Sequence, residues 1–120
     1  MIQIAIVEDD INCQKQLLGY LSRYETECGE QFKVSVFSDG LDIAEANVSS
    51  IDIILMDIQM RNMDGMKAAQ RIRAEDKDVI IIFITNLAQY AIQGYKVEAL
   101  DYVLKPVQYF AFVQTLKKAV

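Results

Sequence analysis

Ile51–Gly65, IDIILMDIQMRNMDG, is the stretch whose reading decides the fold. It contains an unbroken apolar run, Ile53-Ile54-Leu55-Met56, long enough for a strand, too short for a helix and without alternation. A strand buried on both faces reads this way, and such strands belong mostly to parallel sheets. The run stops at Asp57, and Asp64-Gly65 follows as a helix-start or turn signal. Asp57 therefore stands where a central strand ends. In open parallel sheets that rim, outside the carboxyl ends of the strands, is where ligands bind.

Toward the N-terminus, Ile2–Val7 is a second near-continuous apolar run, and it too ends on acids, Glu8-Asp9-Asp10. Ile11–Cys28 places Cys13, Leu17, Leu21, Tyr24 and Cys28 at helical spacing, with Gly29 as its stop. Phe32–Phe37 alternates as a half-exposed strand near a sheet edge does. Ser38-Asp39-Gly40 is a turn or cap before a short helix over Leu41–Ala46. Toward the C-terminus, Met66–Ala74 reads as a helix, Val79–Ile84 as a strand ending at Thr85-Asn86, and Gln89–Gly94 as a short helix. Ala99–Leu104 is the last strand, closed by Lys105-Pro106, and Val107–Val120 is an amphipathic helix with Pro106 near its start. Five strands alternating with five helices predict an α/β fold, a five-stranded parallel sheet with helices on both faces. Right-handed crossovers favour the doubly wound, flavodoxin-like strand order 2-1-3-4-5.

The 120 residues fit one domain with a full core. A formal net charge of −5 argues against nucleic-acid binding by this domain itself, because neutralising phosphates needs a basic face. The two cysteines make no disulfide framework, so a reducing, cytoplasmic setting is expected. Acids interrupt the first apolar run and no apolar stretch approaches about 18 residues, so neither a signal peptide nor a membrane partner is expected. The chain contains no histidine, which excludes chemistry by its own imidazole.

In the expected sheet all strand C-termini share one rim. Glu8, Asp9 and Asp10 come from strand one, Asp57 from strand three, Thr85 from strand four and Lys105 from strand five. Two like charges about 4 Å apart repel by roughly 4 kcal/mol at an effective dielectric of about 20. A hard divalent cation relieves that repulsion, and an all-oxygen donor set suits Mg²⁺, which commonly shares its shell with a phosphate. With no histidine and no cysteine at the rim, the nucleophile would be a carboxylate forming an acyl phosphate, with Asp57 the best placed. Lys105 would neutralise phosphoryl charge and Thr85 would donate a hydrogen bond to a phosphoryl oxygen.

Glu8-Asp9-Asp10, Asp57 with Met60 and Asp64-Gly65, Thr85, and Tyr102 ahead of Lys105-Pro106 together resemble the receiver domain of two-component response regulators. The resemblance spans residues 1–120, and ITNLAQYAIQGYKVEALDYVLKP is similar to receivers attached to LytTR-type DNA-binding domains. It implies a phosphorylation-activated signalling switch, not an enzyme beyond catalysing its own phosphorylation and dephosphorylation. Asp57 would accept a phosphoryl group from the phosphohistidine of a cognate sensor histidine kinase. Mg²⁺ would be held by Asp9, Asp57 and the main-chain carbonyl of Gln59, with Glu8 acting through a bound water. Thr85 and Lys105 would contact the phosphate, Tyr102 would be the aromatic switch, and the Lys105-Pro106 bond would be cis. Asp64 and Gly65 are structural in this reading. An output domain, absent from this chain, would control transcription. Arg61 stands where the family usually has proline, Asn86 where a small residue is usual, and Gln59 and Leu87 occupy the variable positions that tune phosphate lifetime.

Taken singly, these residues have plainer readings. Asp57 alone is a turn residue, Asp10 an N-cap, Thr85 a cap for the next helix, and Tyr102 a surface strand side chain. Cys13 and Cys28 read as helix-face packing. The aromatics Tyr90, Tyr95, Tyr102, Tyr109, Phe110 and Phe112 crowd into the last third and point to core plus a partner or homodimer face on the fourth helix, last strand and last helix. Two further readings of the constellation are a stand-alone receiver acting on a protein partner and a Mg²⁺-dependent phosphatase with an aspartyl nucleophile. The phosphatase generally needs a second acid two residues after the nucleophile, where Gln59 stands. A flavin-binding module of similar fold is a further reading, but this chain has no Ser/Thr/Gly-rich loop after strand one.

Overall fold

The computed structural model describes residues 1–46 and 48–120. Five strands, β1 (Ile2–Val7), β2 (Phe32–Phe37), β3 (Ile53–Met56), β4 (Ile80–Thr85) and β5 (Asp101–Leu104), form one sheet in the order β2-β1-β3-β4-β5. Every neighbouring pair is parallel. The helices are α1 (Ile11–Cys28), α2 (Gly40–Glu45), α3 (Gly65–Glu75), α4 (Ala91–Lys96) and α5 (Tyr109–Ala119), with 3₁₀ turns at Val48–Ser50 and Ala88–Tyr90. This is the expected doubly wound topology.

The apolar runs explain why the sheet sits in the middle. All four side chains of β3 are buried, Ile54 and Met56 on one face and Ile53 and Leu55 on the other. The first face packs against Met66, Ala69 and Ile72 of α3 and Ile43 of α2. The second packs against Leu17 and Leu21 of α1 and Phe112 and Leu116 of α5. A parallel strand covered by helices on both sides must be apolar throughout, and β3 is. Among the described residues no helix is long and apolar enough to cross a membrane.

Several boundaries differ from the sequence expectation, each for a local reason. β4 begins at Ile80, not Val79, because the Asp76 carboxylate takes the N–H groups of Asp78 (2.8 Å) and Val79 (3.0 Å) in a turn. Thr85 is the last residue of β4, inside the ladder opposite Leu104. β5 starts at Asp101, not Ala99, since Glu98 turns the chain at φ 56° and Ala99 donates to the Gly94 carbonyl. The fourth helix runs from Ala91 to Lys96, later than expected, because a 3₁₀ turn occupies Ala88–Tyr90. α5 starts at Tyr109, since Gln108 is the extended N-cap residue and Pro106 lies outside the helix. Cys13 is buried as expected; Cys28, at the last turn of α1, is exposed and is not packing.

Candidate functional site

Ladder register builds the rim. Val7 pairs with Met56, so Glu8 and Asp57 leave neighbouring strands at one level. The Asp57 N–H donates to the Val7 carbonyl at 3.0 Å, and the Glu8 N–H to the Phe37 carbonyl at 2.9 Å. On the far side, the Lys105 N–H donates to the Thr85 carbonyl at 2.9 Å. These bonds fix where the side chains depart before any side-chain interaction is counted.

The charged groups then converge. Lys105 Nζ donates to Glu8 Oε2 at 2.8 Å and to Asp57 Oδ2 at 2.9 Å. One carboxylate oxygen from each of Glu8, Asp9 and Asp57 lies within 4.8 Å of the others, with Glu8 and Asp57 buried and Asp9 exposed. Asp57 Oδ1 accepts the N–H of Ile58 at 2.7 Å. Burial pushes the Glu8 carboxyl above its ordinary range and the Asp57 charge pushes the same way, while Lys105 opposes both. For Lys105 burial works against the charge, but the hydrogen bonds to Glu8 and Asp57 outweigh it and hold the ammonium pKa up. Three acids against one ammonium leave negative charge in excess, and the donors are all oxygen. That donor set fits a hard divalent cation such as Mg²⁺.

The loop after β3 is held from below. Asp64 caps α3 by accepting the Lys67 N–H at 2.8 Å. Gly65 donates to the Ile58 carbonyl at 2.7 Å, and a Cβ on it would stand 2.0 Å from the Asp57 carbonyl oxygen. Only glycine lets α3 begin that close to Asp57. Gln59 and Arg61 are exposed in this loop. Asp39, read from sequence only as a turn or cap, accepts the N–H groups of Leu41 (2.9 Å), Asn62 (2.8 Å) and Met63 (3.0 Å). Burial works against its charge, yet the hydrogen bonds from Asn62, Leu41 and Met63 prevail and hold its pKa below the usual carboxylate range. Gly40 belongs to the same clamp, since a Cβ there would stand 2.3 Å from the Met63 carbonyl oxygen. Neither role has a local sequence signal: Asn62 and Met63 are 23 and 24 residues from Asp39.

Thr85 and Tyr102 are joined through one residue. Thr85 is fully buried, and its Oγ1 accepts the Leu87 N–H at 3.3 Å. The Tyr102 hydroxyl donates to the Leu87 carbonyl, and its ring lies inward, 5.9 Å from that of Phe83. Asn86 is exposed beside this relay. The Lys105–Pro106 peptide bond is cis.

Comparison with known proteins gives the family. Residues 4–117 match the response regulator receiver domain. The chain is 33% identical to the sensory transduction protein LytT of Bacillus cereus, over 98% of this chain and 47% of that protein. It is 30% identical to the transcriptional regulatory protein YpdB of Escherichia coli K12, over 98% of this chain and 47% of that protein. The chain thus spans about half the length of the curated relatives it matches. Among solved structures, the response regulatory domain of MrkE from Klebsiella pneumoniae superposes with a TM-score of 0.87 at 30% identity, covering 98% of this chain and 94% of that one. A parallel sheet in the order 2-1-3-4-5, acids on the rims of β1 and β3, and a family match over nearly every residue lead to one assignment: the chain belongs to the response regulator receiver domain family of two-component signalling.

Proposed function

We propose that this receiver domain is a phosphorylation-controlled switch whose phosphoacceptor is Asp57. The observation that carries the reading is the convergence of Glu8, Asp9 and Asp57 within 4.8 Å, with Lys105 bonded to two of them. A Mg²⁺ ion would be held by Asp9, Asp57 and the Gln59 carbonyl, with Glu8 contributing through water. When bound, it supplies charge neutralisation where phosphoryl oxygens and carboxylates meet. An Asp57 carboxylate oxygen attacks phosphorus, the bond from phosphorus to the histidine nitrogen of a sensor kinase breaks, and an acyl phosphate remains on Asp57. Lys105 exchanges a carboxylate oxygen for a phosphoryl oxygen, and the Thr85 hydroxyl donates to another. Each charge-assisted hydrogen bond contributes about 1.5–3 kcal/mol, so two or three supply the roughly 5.5 kcal/mol that carries a two-state element from 1:99 to 99:1.

The Thr85–Leu87–Tyr102 relay supports Tyr102 as the residue that reports the state of Thr85 to the outer face of β5. The relatives' greater length and YpdB's role as a transcriptional regulator support an output outside these 120 residues, a LytTR-type DNA-binding domain acting in the cytoplasm. Incubation with Mg²⁺ and acetyl phosphate should add one phosphoryl mass to the wild type and none to Asp57→Asn. A mass gain that persists in Asp57→Asn rules out this phosphoacceptor. Continuous release of phosphate from small esters, with no stable phosphoprotein, favours the phosphatase reading instead.

A further inference from the structure

Lys105 must lie within hydrogen-bond reach of both Glu8 and Asp57, yet it sits at the end of a four-residue edge strand, next to a proline that donates no backbone hydrogen bond. Its own N–H is tied to the Thr85 carbonyl, which fixes the upstream side only. Downstream, the carbonyl of the buried Val107 is the next hydrogen-bonded group among the described residues, and its partner comes from α1: the Tyr20 hydroxyl donates to it at 2.7 Å. Gln16 Nε2 donates in turn to the Tyr20 oxygen at 3.3 Å. The Tyr20 ring is held edge-on to Tyr109 at 5.3 Å and tilted against Phe112 at 5.6 Å. The same helix grips the other end of the ion pair, where Gln14 Nε2 donates to the Glu8 carbonyl. One rigid element thus holds the main chain beside both members of the Lys105–Glu8 pair.

We propose that Tyr20 is a positioning residue for phosphoryl transfer: its hydroxyl, through the Val107 carbonyl, holds the segment that aims Lys105 at Asp57. The proposal rests on the phosphoacceptor reading of Asp57. Without the hydroxyl, the buried Val107 carbonyl loses its partner and the segment relaxes toward water or another donor. A small displacement of Lys105 is enough to matter, because reactive geometry is steep in distance.

The test is the initial rate of Asp57 phosphorylation by acetyl phosphate with Mg²⁺ in four chains: wild type, Tyr20→Phe, Lys105→Ala and the double variant. Tyr20→Phe keeps the ring and its contacts with Tyr109 and Phe112, so the fold is retained; circular dichroism and a melting curve check this. Tyr20→Phe should slow phosphorylation about three- to tenfold, the range a single hydrogen bond commands. In the Lys105→Ala background it should slow it no further, since the residue it positions is gone. A Tyr20→Phe chain as fast as the wild type overturns the proposal. So does an equal slowing in both backgrounds, which marks a general loosening of the fold. A wild type that takes up no phosphoryl group overturns the phosphoacceptor reading itself, and the inference with it.

Discussion

At the scale of single residues, the site is a charge imbalance that a hard divalent cation would relieve. Glu8, Asp9 and Asp57 crowd within 4.8 Å, and Lys105 pairs with only two of them. Asp9, the exposed member, has no ammonium against it among the described ion pairs. Binding to the native state alone stabilises it by RT ln(1 + c/Kd), with c the free Mg²⁺ concentration, about 1.4 kcal/mol at tenfold excess over the dissociation constant. For a domain of this size that raises Tm by about 5 °C. Differential scanning calorimetry with and without Mg²⁺ should show this rise in the wild type and its near-complete loss in Asp9→Asn. The metal-free Asp9→Asn chain should melt no lower than the metal-free wild type, because removing one of three repelling charges costs nothing there. An Asp9→Asn chain that keeps the full Mg²⁺ shift removes Asp9 from the ligand set. The acids at strand ends were legible in the sequence because the apolar run and its stop mark the rim. Asp39 was not, because its partners come from a loop that only the tertiary fold brings near.

At the scale of elements, that loop and the cap of α2 are one unit. The Asp39 carboxylate accepts N–H groups at the start of α2 and in the segment before α3, so a single charge sets the path of the chain that follows Asp57. Its native pKa lies below the ordinary 3.8, so over the window between the two values the unfolded chain binds more protons than the folded one. The stability it contributes is therefore present above about pH 3.8 and lost as pH falls through its native value. Urea unfolding followed from pH 6 into that acid window should show a steeper loss in the wild type than in Asp39→Asn, whose amide has no charge to titrate. The acids Glu27 and Asp101, also held below their usual range, keep some slope in both chains. Equal slopes dismiss Asp39 as the clamp. The strand cores were legible from apolar runs, but their starts were not: Asp76 and Glu98 set those of β4 and β5 through a side-chain turn and a positive φ, which hydrophobic pattern does not encode.

At the scale of the whole molecule, the topology followed from a few doubly buried strands and the handedness of their crossovers, whereas the proposed signalling face depends on how weakly one helix is held. Of the residues of α4 only Gly94 is buried, and a Cβ there would meet Tyr102 at 3.3 Å and Phe83 at 3.4 Å. So α4 rests on Tyr102, the proposed switch residue, through a glycine, and segments with few buried apolar contacts sit at the low-stability end of a fold. Large apolar side chains are exposed on this part of the chain: Ile92 (75%) and Tyr95 (84%) on α4, and Leu104 (49%) at the end of the edge strand β5. Exposed large apolar side chains on an edge strand and its neighbouring helix favour association. If phosphorylation moves Thr85, the relay through Leu87 shifts Tyr102 and with it the seat of α4. The phosphorylated chain should therefore sediment as a dimer at concentrations where the unmodified chain is a monomer. Tyr95→Glu should keep the phosphorylated form monomeric while leaving the rate of Asp57 phosphorylation unchanged, since Tyr95 is an exposed side chain of α4 with no hydrogen bond to Glu8, Asp9 or Asp57 among the described residues. A phosphorylated wild type that stays monomeric throughout assigns this face to a different partner, and a Tyr95→Glu chain that still dimerises places the contact elsewhere on the surface.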